Sequence, residues 1–216
     1  LDPVRDLAEE SRALAGDVDD PVVGSHYHMV LGMEAMFRGE HERSVRENDT
    51  CLSALDGIDP HRLANEFPID DYVYPLAWRG WSAWLTGRPD EAVGWMQAAR
   101  DRVTTGAPAP FGLAIITNLS LLIEVFRRDR QAAAVLIDEL LECLDRCGLA
   151  WPYPHFTVAE SWLWFQDGDV DAGIERSRRV MSDAAENGVG QAFWFVYAIV
   201  AVAELGRGRA TAGLAA

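Results

Sequence analysis

The sequence predicts an all-α fold, a solenoid in which pairs of antiparallel helices repeat about every 40 residues. A recurring turn motif gives the first indication. Apolar residues spaced three and four positions apart on both sides of each turn give the second. A composition that is 49% hydrophobic is sufficient for a continuous core. Because one helix pair cannot bury both of its faces, neighbouring pairs must stack, and we expect an α-α superhelix of about eleven helices.

The repeat consists of a turn residue followed five positions later by a small residue. Successive turn positions lie 48, 41, 40 and 40 residues apart. Seven positions before the first two turns, Gly32 and Gly80 are small enough to let one helix approach its neighbour closely. The five copies are Gly39/Ser44, Gly87/Ala92, Arg128/Ala133, Gly168/Gly173 and Gly208/Gly213.

Local signals place the helices of the second repeat, with helix A over residues 71–86 and helix B over 89–103. Gly87 supplies the stop between them, and Pro89 with two following acids supplies a favourable first turn. In the third repeat, Asp129 is the expected N-cap of the second helix.

We predict a single domain over residues 1–216, because only the proline-rich loop at 57–75 interrupts the pattern, with one short helical turn at 60–64. The chain opens and stops inside helical patterns, so we expect both ends to be cut from a longer polypeptide and to self-associate. The first helix is expected at 2–15 and a truncated last one at 209–216. The units are a half repeat at 1–21 and repeats at 22–57, 70–105, 110–148, 153–188 and 190–216.

Composition restricts the partners. A net charge of -15, with arginine as the only basic residue besides histidine, repels phosphate backbones and anionic lipids, so neither nucleic acid nor membrane is expected to bind directly. The three cysteines are too few for a disulfide framework, and no secretory signal is visible. We therefore expect a soluble, cytoplasmic protein, and the residue bias suggests a GC-rich bacterial genome.

No motif in the sequence predicts catalysis, a metal or a cofactor. No Ser-His-Asp spacing, nucleophile elbow or glycine-rich phosphate loop is present. His26 and His28 point to different sides of a helix. Cys143 and Cys147 have i, i+4 spacing and would supply half of a zinc site that nothing completes, so buried small side chains are the simpler interpretation.

Two triplets, Gly32/Gly39/Ser44 and Gly80/Gly87/Ala92, have the spacing of the tetratricopeptide (TPR) signature. With a period near 40 rather than about 34, the chain resembles the MalT-like helical-repeat region of large bacterial ATP-dependent regulators of the STAND and LuxR type. The similarity spans nearly the whole chain. It is clearest in HYHMVLGMEAMFRGEHERSVREND, in Asp59-Pro60-His61 and in PLAWRGWSAWLTGRPDEAVGWMQAA.

The resemblance implies a role in signal transduction. In that family the region follows a nucleotide-switching ATPase module, and some members continue into a LuxR-type helix-turn-helix. Related chains carry a class III adenylate cyclase or a Ser/Thr kinase. The repeats are thought to receive a small inducer or a protein partner and to restrain or release the ATPase. This chain has no GxxxxGK[ST] loop, so ATP and DNA binding are expected outside it.

The resemblance also implies a concave face lined by positions 2, 5, 9 and 12 of each helix A, counting the first small residue as position 8. Methionine and tryptophan at these positions suit a peptide helix or an aromatic small molecule, although such a stripe is more often core. The projected residues are His26, Met29, Met33, Met36, Tyr74, Ala77, Trp81, Trp84, Ile115, Asn118, Leu122, Val125, His155, Val158, Trp162 and Phe165.

Three charged residues, Arg79, Glu124 and Glu160, fall inside A helices, where an apolar neighbourhood penalises an unpaired charge. They either form structural ion pairs or anchor a polar ligand group, with Arg79 meeting a carboxylate or phosphate.

We therefore predict a non-catalytic segment that receives a signal through a protein partner. The alternative is an effector pocket, in which Arg79 and three tryptophans contact a small molecule that controls an attached ATPase, cyclase or DNA-binding domain. Those tryptophans are Trp81, Trp84 and Trp162. An enzyme whose site no motif reveals is the least favoured hypothesis.

Overall fold

The computed structural model describes residues 2–15, 20–59, 62–63, 72–105, 110–147, 153–186 and 194–208. All regular structure within these ranges is helical, which confirms the predicted all-α class. Arg62 and Leu63 lie in the short turn predicted at 60–64, and the helix predicted at 209–216 lies outside the described residues. The helices are α1 (Asp2–Ala15), α2 (Pro21–Phe37), α3 (His41–Leu55), α4 (Val73–Leu85), α5 (Pro89–Thr105), α6 (Pro110–Arg127), α7 (Arg130–Cys147), α8 (Tyr153–Gln166), α9 (Val170–Glu186) and α10 (Trp194–Gly206).

The chain divides into two compact units, Leu1–Leu119 and Ser120–Ala216, and the boundary falls inside α6. In the first unit, α2 packs against α1, α3 and α4, while α4 also packs against α3 and α5. In the second unit, α8 packs against α7, α9 and α10, and α9 also packs against α10. Each unit therefore contains helix pairs together with one contact between successive A helices. The single domain over residues 1–216 stays a prediction.

All five predicted turn positions have a positive φ, although one of them is an arginine. The φ angles are 78° at Gly39 and Gly87, 61° at Arg128, 91° at Gly168 and 72° at Gly208. At the first four turns, the next residue donates its N–H to the carbonyl five positions earlier, which is the Schellman helix stop. These bonds are Glu40 to Ala35 (2.9 Å), Arg88 to Ala83 (2.9 Å), Asp129 to Glu124 (3.0 Å) and Asp169 to Trp164 (3.0 Å).

Small residues bring the paired helices into close contact, as the sequence predicted. A Cβ added at Gly32 would lie 2.7 Å from the Asn48 amide oxygen, and one at Gly80 would lie 3.0 Å from the Met96 methyl carbon. In the fourth repeat the relation is reversed, because Gly173 on helix B lies against Phe165 on helix A. A larger side chain at Gly32 or Gly173 would therefore require the facing residue to shift, while at Gly80 the end of the Met96 side chain would have to give slightly.

Helix ends follow the predicted signals closely. Helix α4 begins at Val73 and ends one residue before the predicted end, and α5 runs two residues beyond 103. The carboxylate of Asp129 accepts the N–H of Ala132 at 3.0 Å, which confirms it as an N-cap. Asp20 caps α2 in the same way, through the N–H of Val22 at 2.9 Å. Within the described ranges, no helix has both the length and the apolar character that a membrane crossing requires.

Candidate ligand-binding site

A recess of about 440 Å³ lies in the second unit, at the C-terminal ends of α6, α8 and α10. Its volume falls within the range of small-molecule sites. The walls are mainly apolar and aromatic, formed by Val125, Phe126, Trp162, Phe165, Val202 and Ala203. The site therefore offers flat and branched apolar surfaces to a ligand.

The repeat explains why these residues meet. Val125 and Phe165 occupy position 12 of their A helices, and Trp162 and Val202 occupy position 9. Three of the sixteen projected residues, Val125, Trp162 and Phe165, are thus brought together. Position 13 was missed, although it also lines the recess at Phe126, Gln166 and Gly206. A signal was available, because position 13 lies four residues after position 9 and shares its helix face.

Two arginines lie at the recess, and their surroundings differ. Arg207 donates to the carboxylate of Asp171 at 2.8 Å. Within the part of the chain that the structure describes, Arg128 is exposed and has no side-chain partner, whereas every other arginine contacts an acid, a hydroxyl or an aromatic ring. The adjacent Asp129 uses one carboxylate oxygen to cap α7. Among the described residues, the recess therefore contains one arginine side chain, Arg128, that has no ion-pair partner.

The other projected residues are divided between interior and partly exposed positions. Buried side chains contribute to packing between helices, which is the core interpretation left open by the sequence; they are Met36, Ala77, Trp81, Ile115, Asn118 and Leu122. Half-buried side chains are His26, Met29, Met33, Tyr74 and Trp84. The side chains of His155 and Val158, on α8, lie outside the described residues. A binding role for the projected set stays a prediction.

The three charged residues inside A helices all have ion-pair partners. Arg79 pairs with Asp49, and its guanidinium carbon lies 3.9 Å from the ring centroid of Trp95. The Glu124 carboxylate is 2.8 Å from Arg127, and that of Glu160 is 2.6 Å from Arg176. The structure thus favours ion pairing over ligand anchoring for these residues.

An aromatic group in the first unit was not predicted as a whole. Tyr74 stacks on Trp78 with ring centroids 6.4 Å apart, and Phe37 meets Trp78 edge-on at 6.0 Å. Phe37 remains 47% exposed. The i, i+4 spacing of the two residues on α4 was the available signal. The group forms a partly exposed aromatic surface on α2 and α4.

A buried carboxylate in the first unit was also missed. The side chain of Glu34 has no exposed surface and accepts hydrogen bonds from Arg5 at 3.0 Å, from Arg43 at 3.1 Å and from Arg38. Burial acts to raise the pKa of Glu34, but the Arg38 hydrogen bond and the three positive charges outweigh it, so the pKa lies below its ordinary value. Glu34 is therefore an ionised structural group that joins α1, α2 and α3.

Among the described residues, no group of three or more His, Cys, Asp or Glu side chains is arranged to hold a metal ion. Cys143 is buried, and the side chain of Cys147 lies outside the described residues. No family model matches the chain. Searches of curated proteins and of solved structures likewise find no match.

Proposed function

We propose that the chain is a non-catalytic, signal-receiving segment of a bacterial multidomain regulator, built as a TPR-like superhelix. One observation carries this proposal: equivalent positions of the A helices α6, α8 and α10 line a single recess in the second unit. A repeat that returns the same residue positions to one surface is suited to binding.

The recurring turns and close contacts support the superhelix. Four turns share one pattern of backbone hydrogen bonds, and A helices pack on A helices as α2 with α4 and as α8 with α10. Stacked helix pairs in a solenoid make this combination of contacts, each with its neighbour along the chain.

In the second unit, the recess favours binding of a small-molecule effector. Trp162 is only 7% exposed and Val125 only 3%, so this part of the wall is packed into the unit before any ligand arrives, whereas Val202 is 62% exposed. Preformed walls reduce the entropy lost on binding. The group of Phe37, Tyr74 and Trp78, in which Phe37 is exposed and the other two are half-buried, favours a protein contact on the first unit. In this proposal the effector controls an attached ATPase, cyclase or DNA-binding domain.

A metabolite screen monitored by tryptophan emission tests the proposal. A ligand of the recess should change the emission of the native chain and of Trp84→Phe, because Trp84 lies in the first unit. The response should be lost in Trp162→Phe. If a protein partner changes the emission and no small molecule does, the effector recess is wrong and the partner function remains.

A further inference from the structure

We infer that the recess binds a small amphipathic anion, a carboxylate on an aromatic or branched aliphatic body. The inference rests on the proposed effector function of the second unit. It identifies the chemical class of the ligand from the walls, the charge and the backbone of the site.

The walls select the apolar body. The half-buried Phe126 and Phe165 supply aromatic surface, and Val202, which is 62% exposed, supplies a branched one, while the buried Trp162 and Val125 lie beneath them. A ligand that covers these surfaces gains free energy in proportion to the apolar area removed from water. A polar or strongly hydrated body would leave that gain unused.

The charge of the lining selects an anion. The chain has 34 acidic residues against 19 basic ones, yet the described residues that line the recess include Arg128 and Arg207 and no acid. Arg207 already shares its charge with Asp171. The guanidinium of Arg128 is left to the ligand, and its planar fork matches a carboxylate in two parallel hydrogen bonds.

The backbone at Arg128 gives an independent argument. The other four repeat turns have glycine at the positive-φ position, and Arg128 is the only non-glycine residue with positive φ in the described ranges. Left-handed backbone is unfavourable for a residue with a Cβ, and such strain is found more often at functional sites than elsewhere. This turn lines the recess, so a role in ligand binding would explain why arginine occupies a position at which the other turns have glycine.

Isothermal titration of the chain with phenylbutyrate, its neutral amide and the corresponding amine tests the inference. All three share one apolar body. The carboxylate should bind about tenfold more tightly than the amide, as a charge-assisted hydrogen bond predicts, and the amine should bind most weakly. Arg128→Gly should reduce carboxylate binding to the level of the amide, while its melting temperature stays equal or rises. Arg128→Asn should give the same two results as Arg128→Gly, because asparagine also tolerates positive φ.

The control is Arg127→Gln, because Arg127 is the preceding residue, pairs with Glu124 and does not line the recess. It should keep native affinity.

If the acid and the amide bind equally, and Trp162→Ala abolishes the binding of both, the inference of an anionic ligand is wrong and the effector recess stands. Undiminished carboxylate binding by Arg128→Gly would also overturn the inference. If the native chain binds none of the three compounds, both the anionic ligand and the effector recess are wrong. A peptide that ends in a phenylalanine carboxylate can also be tested. If it binds tenfold more tightly than phenylbutyrate, the ligand is the C-terminus of a protein chain and the small-molecule inference is wrong.

Discussion

The two units use their arginines in different ways. In the first unit, every described arginine contacts a neighbouring side chain, and three of them surround the buried carboxylate of Glu34. In the second unit, Arg207 and others are paired, but Arg128, which lines the recess, has no side-chain partner among the described residues. Ion pairs therefore join helices in both units, while the second unit also contains one described arginine without an ion-pair partner, whose charge the proposed ligand would neutralise.

The same contrast appears at position 13 of the A helices. In the first unit this position holds Phe37 and Leu85, which are 47% and 44% exposed. In the second unit it holds Phe126, Gln166 and Gly206, which line the recess. A shared backbone pattern thus supports two different surfaces, an exposed apolar one in the first unit and the proposed ligand recess in the second.

The largest effect is expected from Glu34→Gln, which removes the countercharge of three arginines. We expect the free energy of unfolding to fall by about 3 kcal/mol, in the range found when one partner of a buried ion pair is removed. Urea denaturation measures it. Glu42→Gln is the control, because the Glu42 side chain is 98% exposed and should change stability by less than about 0.5 kcal/mol. Similar losses in the two variants would contradict the structural role of Glu34.

Gly32→Ala should lower stability by about 1–3 kcal/mol, because its Cβ would overlap the Asn48 amide. The matched control is Gly94→Ala on α5, where a Cβ meets nothing within 4 Å. That substitution should raise stability by up to about 1 kcal/mol through helix propensity. If thermal denaturation shows stability changes of the same sign for Gly32→Ala and Gly94→Ala, the close approach of the helices does not restrict the side chain at position 32.

Stability should fall as the solution is acidified, and the first unit should account for much of the fall. The pKa of Glu34 is lowered in the fold, and that of Asp20 is lowered by the Val22 N–H and by Arg62. Both carboxylates contribute stability above their ordinary pKa values of 4.5 and 3.8, and the contribution is lost as the pH falls through the lowered values. Glu34→Gln should flatten this acid limb in a series of melting curves. An unchanged slope would mean that Glu34 titrates alike in the folded and unfolded chain.

The smallest effect is expected at the repeat turns. Arg128→Gly should leave stability unchanged or raise it by up to about 1 kcal/mol, because it relieves left-handed strain. The reciprocal change, Gly168→Arg, should lower stability by about 1–2 kcal/mol. If Arg128→Gly instead destabilises the chain, the arginine is held there by packing, and the comparison between the two kinds of turn is weakened.

The sequence predicts the turns well because their signals are local. Glycine at a left-handed position and aspartate at a helix start act within a few residues, and both Gly87 and Asp129 behave as expected. The repeat even identifies Arg128 as a turn residue. Local signals and a fixed period thus determine most of the helix pairs.

The site is less predictable because it depends on distant residues. Arg5 reaches Glu34 across 29 positions, and no local pattern indicates that contact. An apolar stripe does not reveal which side faces another helix, so buried Trp81 and recess-lining Phe165 look alike in the sequence. That Arg128 has no side-chain partner among the described residues becomes evident only from the structure.

Amide and methyl NMR spectra of the chain, recorded during a titration with phenylbutyrate, test the binding recess most directly. We predict saturable shifts concentrated at Val125, Phe126, Trp162 and Val202, with the partly exposed aromatic group at Phe37 and Trp78 unchanged. Shifts centred on Phe37 and Trp78, or no saturable shifts anywhere, would contradict the assignment of the second-unit recess as the ligand site.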